Sequence, residues 1–224
     1  KLITLGCSKN LVDSEFILSQ LKSNDIQIVD NEEDAENVII NTCGFIEAAK
    51  QESIDTIMRA VDLKNKGRIK NVYVAGCLSD RYKTELEKDI PEVDKYFGAT
   101  DKPQTIFSIL NELGVDYKKN LIGERILTTP SHFAYLKISE GCDNPCSFCA
   151  IPIMRGVHRS KPLQEILTEA QKLASKGVKE LVVIGQDTTY WGMDIDGYKK
   201  RSLSVVLSEL SKINGMFTFL GRKI

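Results

Sequence analysis

The sequence predicts an α/β chain built on parallel strands and divided into two parts. Three observations carry this. Strand-like apolar runs at 2–5, 26–29, 37–41 and 71–75 alternate with helix-like runs at 11–22, 45–64, 80–89 and 104–113, the pattern of strands joined by crossover helices. The runs Asn37-Val38-Ile39-Ile40-Asn41 and Asn71-Val72-Tyr73-Val74-Ala75 are almost continuously apolar, as expected of strands covered on both faces. The rhythm fails between Gly114 and Ser131 and then restarts.

That interruption contains Lys118-Lys119-Asn120, Gly123 and Thr128-Thr129-Pro130-Ser131, and it reads as a linker. The expected division is therefore a first domain over 1–113, a linker over 114–131 and a second domain over 132–224. In the second, strands are expected at 133–138 and 180–184 and helices at 163–175 and 202–212. Ser160 or Lys161 lies near the start of the 163–175 helix, and Gly177 is its stop. No internal repeat or low-complexity tract interrupts the pattern.

The 224 residues suit one large or two ordinary domains, and 42% hydrophobic residues supply a core. A net charge of −1 gives no basic footprint for nucleic acid. No window holds 18 consecutive apolar residues, so no membrane span is expected. No secretory leader is visible, although the chain begins without Met and inside an apparent strand. The plain reading is a cytoplasmic protein whose thiols stay reduced, where six cysteines point to metal binding or catalysis.

Three of them, Cys142-Asp-Asn-Pro-Cys146-Ser-Phe-Cys149, stand at C-x3-C-x2-C spacing in a loop directly after a strand. Thiolates so close in sequence converge on one soft metal centre. A 4Fe–4S cluster normally takes four cysteines, so three leave one iron open for an outside ligand. Gly141 and Pro145 suit the tight turns of such a loop. Zinc is the competing metal, but it usually takes cysteine pairs completed by a second Cys or His pair, and only His132 and His158 are near. Buried unlinked thiols are the bland reading.

The other three are Cys7, Cys43 and Cys77, separated by 36 and 34 residues. Each ends a predicted strand ("ITLGC", "VIINTC", "VYVAGC") and precedes a predicted helix. The C-terminal ends of parallel strands share one edge, where open α/β sheets bind ligands. A helix N-terminus also favours the thiolate. A second three-cysteine cluster is expected there, set against three ordinary small buried residues.

The C-x3-C-x2-C spacing is the radical S-adenosylmethionine signature, and the chain from about Phe133 resembles that superfamily. The resemblance implies a partial (βα) barrel with its site at the strand C-termini, which agrees with where the cysteine loop falls. It implies a cluster whose open iron binds the amino and carboxylate groups of S-adenosyl-L-methionine, and reductive cleavage to a 5′-deoxyadenosyl radical. Phe148 matches the family's aromatic near the adenine, against plain loop packing. Gln186 and Asp187, in Gly185-Gln186-Asp187-Thr188, match the strand end that contacts the amino group, against a polar turn.

With the second triad included, the chain from about Lys1 to Asn214 resembles the methylthiotransferase family. The fold class implied is a Rossmann-like parallel-sheet domain holding one 4Fe–4S cluster, followed by the first part of a radical S-adenosylmethionine partial barrel holding the other. The tRNA-modifying branches tend to read GCQMN or GCKVN at the first cysteine. Gly6 to Glu15 reads GCSKNLVDSE, similar to the ribosomal-protein branch, as are "LKISEGCDNPCSFCAIPIMRG" and "IGQDTTYWG". That branch implies replacement of C–H by C–S–CH3 at the β-carbon of an aspartate in a small-subunit ribosomal protein, with a flavodoxin- or ferredoxin-type electron donor. An unactivated C–H bond has no useful acidity, so the chemistry belongs to cofactors that the protein positions. The alternatives are a tRNA adenosine methylthiotransferase and an inactive iron–sulfur-binding fragment.

Arg155 and Arg159 are candidates for binding a carboxylate of S-adenosylmethionine or substrate, against loop-surface charge. Lys9 reads as a solvated first-turn residue rather than a substrate contact, and His158 as a loop residue rather than a ligand. After Asn214-Gly215 the family continues a barrel strand, whereas "MFTFLGRKI" keeps only the early apolar residues. The later barrel strands and the C-terminal TRAM domain of the family do not follow, so a truncated chain is expected.

Overall fold

The computed structural model describes residues 1–99, 103–118, 121, 123–196, 198, 202–214 and 217–220, with 103 and 217–220 by backbone alone. The chain divides into two units, Lys1–Lys118 and Lys119–Ile224.

The first unit runs β1 (Leu2–Thr4), α1 (Ser8–Ser23), β2 (Asn37–Thr42), α2 (Glu47–Asn65), β3 (Asn71–Gly76), α3 (Cys77–Asp89), β4 (Lys95–Tyr96) and α4 (Pro103–Glu112). Its strands lie in the order β1-β2-β3-β4, and every pairing is parallel. Both faces are covered. Val38, Ile40, Val72 and Val74 pack with Ile57 and Ala60 of α2 and Leu78 and Leu86 of α3. On the opposite face Ile39, Tyr73 and Ala75 pack with Ile17 and Leu21 of α1 and Ile109 and Leu110 of α4. Two buried faces explain why these strands read as continuous apolar runs.

The expected strand at 26–29 does not form. The chain leaves α1 through Asn24 and Asp25 (φ 58°), and Ile26 N–H bonds back to Leu21 C=O at 3.1 Å. Ile26 and Val29 then pack against the two cores without joining a ladder. The run is apolar because its side chains cover the sheet, not because its backbone pairs. Helix starts also differ. Helices α1 and α3 begin at Ser8 and Cys77 rather than 11 and 80, because the chain passes from strand to helix through Gly6 (φ 85°) and Gly76 (φ 101°) with no spacer.

Residues 114–118, expected within a linker, are tied to α1. Gln20 Nε2 donates to Lys118 C=O at 3.0 Å, Lys118 N–H donates to Gln20 Oε1 at 2.9 Å, and Asn24 Nδ2 donates to Asp116 C=O at 2.9 Å. Further along, Arg125 is buried in the second unit. It donates from Nη2 to Tyr135 C=O at 2.6 Å and places Nε 3.1 Å from Glu169 Oε1. Lys119 and Asn120 lie outside the described residues.

The second unit runs β5 (Phe133–Lys137), β6 (Ser139–Glu140), α5 (Ile151–Arg155), β7 (Arg159–Ser160), α6 (Leu163–Ser175), β8 (Glu180–Ile184), α7 (Leu203–Leu210) and β9 (Phe217–Leu220). Strands β5, β8 and β9 form a parallel sheet in that order, and β6 pairs antiparallel with β7. The early apolar part of "MFTFLGRKI" thus supplies a third parallel strand, while Met216 and 221–224 lie outside the described residues. Ile166, Ala170 and Leu173 of α6 pack on Leu136, Leu181 and Val183 with Trp191 and Leu210. No helix among the described residues is long and apolar enough to cross a membrane.

Trp191 is the single tryptophan and is fully buried in the same cluster as Ile166, so its fluorescence reports this core. Replacing Ile166 by Ala is expected to lower stability by about 2–5 kcal/mol in denaturant titrations followed by that fluorescence. A loss below about 1 kcal/mol would show that α6 does not close this core.

Candidate functional site

In the first unit, parallel register determines which residues leave the sheet together. Thr42 lies opposite Gly76, so Cys43 and Cys77 are the next residue on neighbouring strands. Thr4 lies opposite Asn41, and Leu5 N–H continues the ladder to Asn41 C=O at 2.9 Å. Gly6 therefore comes level with Cys43. A Cβ on Gly6 would sit 2.5 Å from Cys43 Cβ and 2.8 Å from its Sγ, and one on Gly44 would sit 2.8 Å from Leu78 Cα. Only glycine allows such an approach, and at Gly6 the positive φ demands it as well. Cys7 is the N-cap of α1 and Cys77 the first residue of α3, which puts both thiols at helix N-termini. Cys43 is separated from α2 by a short loop, and Ser53 of α2 anchors it by accepting from Cys43 N–H at 3.1 Å.

Polar side chains that the sequence does not single out lie beneath this edge. Asn10, Asn41 and Thr42 are fully buried. Asn10 Nδ2 donates to Leu5 C=O at 3.0 Å and to Thr42 C=O at 2.9 Å. Asn41 Nδ2 donates to Asn10 C=O at 3.1 Å and to Ser14 Oγ at 3.0 Å. Thr42 Oγ1 donates to Ala75 C=O at 2.6 Å. The one available clue is a polar pair, Asn41-Thr42, closing an apolar run just before a cysteine.

In the second unit, the loop Cys142–Cys149 leaves β6 through Gly141 (φ 73°), which packs directly on the backbone at Val157. Cys142 N–H donates to Gly156 C=O at 3.1 Å, and His158 N–H donates to Asp143 Oδ1 at 2.8 Å. The segment 156–158 thus holds the loop from below. Cys142 and Cys149 are half-buried and Cys146 is exposed. Phe148 is 87% exposed beside them. Helix α5, too short to leave a periodic pattern in the sequence, begins directly after the loop.

Buried Glu140 is the hub of this region. Its Oε2 accepts from Lys137 Nζ at 2.7 Å and Arg155 Nη1 at 3.2 Å, and its Oε1 accepts from Gln186 Nε2. Burial alone would raise its pKa, but the charges of Lys137 and Arg155 outweigh burial and hold it at about 2. Arg155 is therefore a buried ion-pair partner and not a loop-surface charge, whereas Arg159 is exposed. His158 is a loop residue but a buried one. Its Nε2 lies 3.0 Å from Ser160 Oγ, and its ring meets Tyr190 edge-on at 4.9 Å. Lys9 is half-buried.

Gln186 commits its nitrogen to Glu140 and keeps Oε1 buried without a hydrogen-bond partner, as does Ser139 Oγ. Both residues follow the C-terminal ends of the paired strands β5 and β8, and Ser139 Oγ lies close against Gly185, where a Cβ would sit 2.6 Å from it. Asp187 is engaged differently. Its Oδ1 accepts from Thr189 N–H at 3.1 Å and Oγ1 at 2.7 Å, and its Oδ2 accepts from Asn144 Nδ2 at 3.1 Å, which ties this turn to the cysteine loop.

None of the six cysteines is in a disulfide, and among the described residues no three His, Cys, Asp or Glu side chains stand close enough to hold a metal ion. What the fold supplies is two sets of three thiols, one following the C-terminal ends of three parallel strands and one in the loop that follows β5 and β6. All-sulfur donor sets of this kind suit iron–sulfur clusters, and the orphaned Gln186 and Ser139 oxygens suit a ligand that donates hydrogen bonds.

Residues 1–98 match a family described as Uncharacterized protein family UPF0004, and residues 136–215 match the Radical SAM superfamily. The ribosomal protein uS12 methylthiotransferase RimO of Christiangramia forsetii is 55% identical over 214 residues, covering 96% of this chain and 46% of that protein. The proteins of the same name from Chloroherpeton thalassium and Aquifex aeolicus are 56% identical over 212 residues and 51% over 214, covering 95% and 96% of this chain and 48% and 46% of those proteins. The chain spans about half the length of the curated relatives it matches. With both domain models matched in this order, and with relatives of one name along 96% of its length, the chain belongs to the radical S-adenosylmethionine methylthiotransferase family, RimO type.

Proposed function

We propose that this chain carries the cofactor-binding half of an enzyme that methylthiolates the β-carbon of an aspartate in small-subunit ribosomal protein uS12, the protein named for its relatives. The observation that supports this reading is the placing of the cysteines: Cys7, Cys43 and Cys77 each follow the C-terminal end of a parallel strand, and Cys142, Cys146 and Cys149 share one loop after β5 and β6. Cys142, Cys146 and Cys149 would hold one 4Fe–4S cluster, and Cys7, Cys43 and Cys77 the other. When bound, the two clusters and S-adenosyl-L-methionine supply one-electron reduction, the transferred sulfur and the methyl group.

The protein's own part is binding, orientation and exclusion of water. Gln186, fixed through Nε2 by Glu140, offers Oε1 to the amino group of S-adenosylmethionine. Phe148 offers its exposed ring to the adenine. Asp187 completes this set by holding Asn144 of the cysteine loop. A flavodoxin- or ferredoxin-type protein would be the electron donor, and the cytoplasm the setting.

Anaerobic reconstitution of the chain is expected to load about eight irons with matching sulfide. Replacing Cys142, Cys146 and Cys149 together by Ala should halve the iron and abolish S-adenosylmethionine cleavage. One zinc without sulfide would reject the reading, and so would cleavage that survives the triple replacement. In a strain lacking the gene, mass spectrometry should find uS12 without its methylthio group. Unchanged uS12 with methylthio groups missing from tRNA nucleosides would move the substrate to tRNA.

Replacing Glu140 by Ala would remove the buried carboxylate that pairs with Lys137 and Arg155. The expected loss is about 3–5 kcal/mol in Trp191-detected unfolding. A loss below about 1 kcal/mol would mean that the other surroundings of these cations make up for Glu140.

A further inference from the structure

We infer that Asn10 is the positioning residue of the N-terminal cysteine triad: its side-chain amide clamps the strand ends that carry Cys7 and Cys43 and abuts Cys77. The inference rests on the reading of Cys7, Cys43 and Cys77 as a cluster site and adds to it a residue that does not ligate.

The clamp answers a specific problem. Where β1 and β2 end, Leu5 C=O emerges half-buried and Thr42 C=O buried at the edge, just where the chain turns away and the ladder can no longer supply donors. A carboxamide nitrogen has two N–H groups. Asn10 spends one on Leu5 C=O at 3.0 Å and the other on Thr42 C=O at 2.9 Å. These carbonyls precede Cys7 by two residues and Cys43 by one, so their separation sets the spacing of the two thiols. Asn10 Oδ1 then lies 3.9 Å from Cys77 Sγ. One side chain touches all three cysteine-bearing segments.

Position and chemistry explain the residue type. Asn10 lies in the first turn of α1, three residues after Cys7, and reaches back beneath it. Asp has no donor, Ala makes no bond, and Ser has one donor for two carbonyls. The helix turn is itself fixed from below, since Asn10 C=O accepts from Asn41 Nδ2 at 3.1 Å. Thr42 Oγ1 to Ala75 C=O, at 2.6 Å, passes the constraint to β3.

The test uses the chain with Cys142, Cys146 and Cys149 replaced by Ala, so that one triad is left. Asn10→Asp, which keeps the shape and loses both donors, and Asn10→Ala are made in this background. First, in the metal-free proteins, alkylation of Cys7, Cys43 and Cys77 by iodoacetamide is timed by mass spectrometry. Both variants are expected to alkylate Cys43 and Cys77 at least fivefold faster, with the far-ultraviolet circular dichroism unchanged. Second, after anaerobic reconstitution, the variants should lose iron to a chelator at least tenfold faster and show an altered electron paramagnetic resonance spectrum of the reduced cluster. Equal alkylation rates and equal iron retention overturn the inference. Loss of the circular dichroism signal in both variants overturns it too, because Asn10 would then be a determinant of folding. If the background protein binds no iron, the cluster reading fails, and the alkylation rates still decide the role of Asn10.

Discussion

The constraint on which the first unit depends is the parallel register of β2 against β3. Asn37 faces Asn71, and the pairing runs without interruption to Thr42 facing Gly76. A slip of one residue would turn every inward side chain outward. Here that would disrupt two cores, because Val38 and Ile40 face α2 and α3 while Ile39 faces α1 and α4. The register is therefore fixed by apolar burial on both faces. Cys43 and Cys77 inherit their proximity from it without any contribution from their own side chains. The hydrophobic core acts far from the chemistry yet decides which atoms meet at the edge.

Burial of the sheet creates a second requirement at the same place. Strand ends carry carbonyls that have lost their ladder partners, and buried carbonyls need donors. The first unit meets this with neutral amides and hydroxyls: Asn10, Asn41, Thr42 and Ser53. The second unit uses charge. Glu140 sits among Lys137, Arg155 and Gln186, and Glu169 pairs with Arg125 and Lys161. A buried carboxylate is costly alone and tolerable when fully bonded. Such a group fixes several elements at once, because every donor it needs comes from a different one. Lys137 ends β5, Arg155 ends α5 and Gln186 follows β8.

These differences explain what the sequence discloses. Alternating elements, continuous apolar strands and three cysteines at equivalent strand ends all follow from local pattern, and local pattern is enough to sort the six thiols into two sets of three. Family likeness then supplies the chemistry. The run at 26–29 misleads because apolar residues that only cover a sheet look like residues that pair within it. Arg125 is hidden inside what reads as a linker, since its partners Tyr135 and Glu169 lie on elements further along. Asn10 and Glu140 are illegible for the same reason. Asn10 finds Thr42 32 residues away and Glu140 finds Gln186 46 residues away, and nothing local marks either as buried.

The motif from Ser8 to Glu15 shows how likeness and mechanism come apart. By resemblance it distinguishes a ribosomal-protein branch from tRNA-modifying ones, which invites a role in touching the substrate. In the chain, Asn10, Val12, Asp13, Ser14 and Glu15 are all buried, and Ser8, Lys9 and Leu11 are half-buried. Asn10 and Ser14 are part of the polar layer beneath the cysteines, while Ile17 and Leu21, further along the same helix, enter the core. A buried motif carries information about its family through the way it seats the strand ends. The buried part of the motif thus belongs to the packing beneath the cysteine-bearing strand ends, which Asn10 reaches directly through Leu5 C=O and Thr42 C=O.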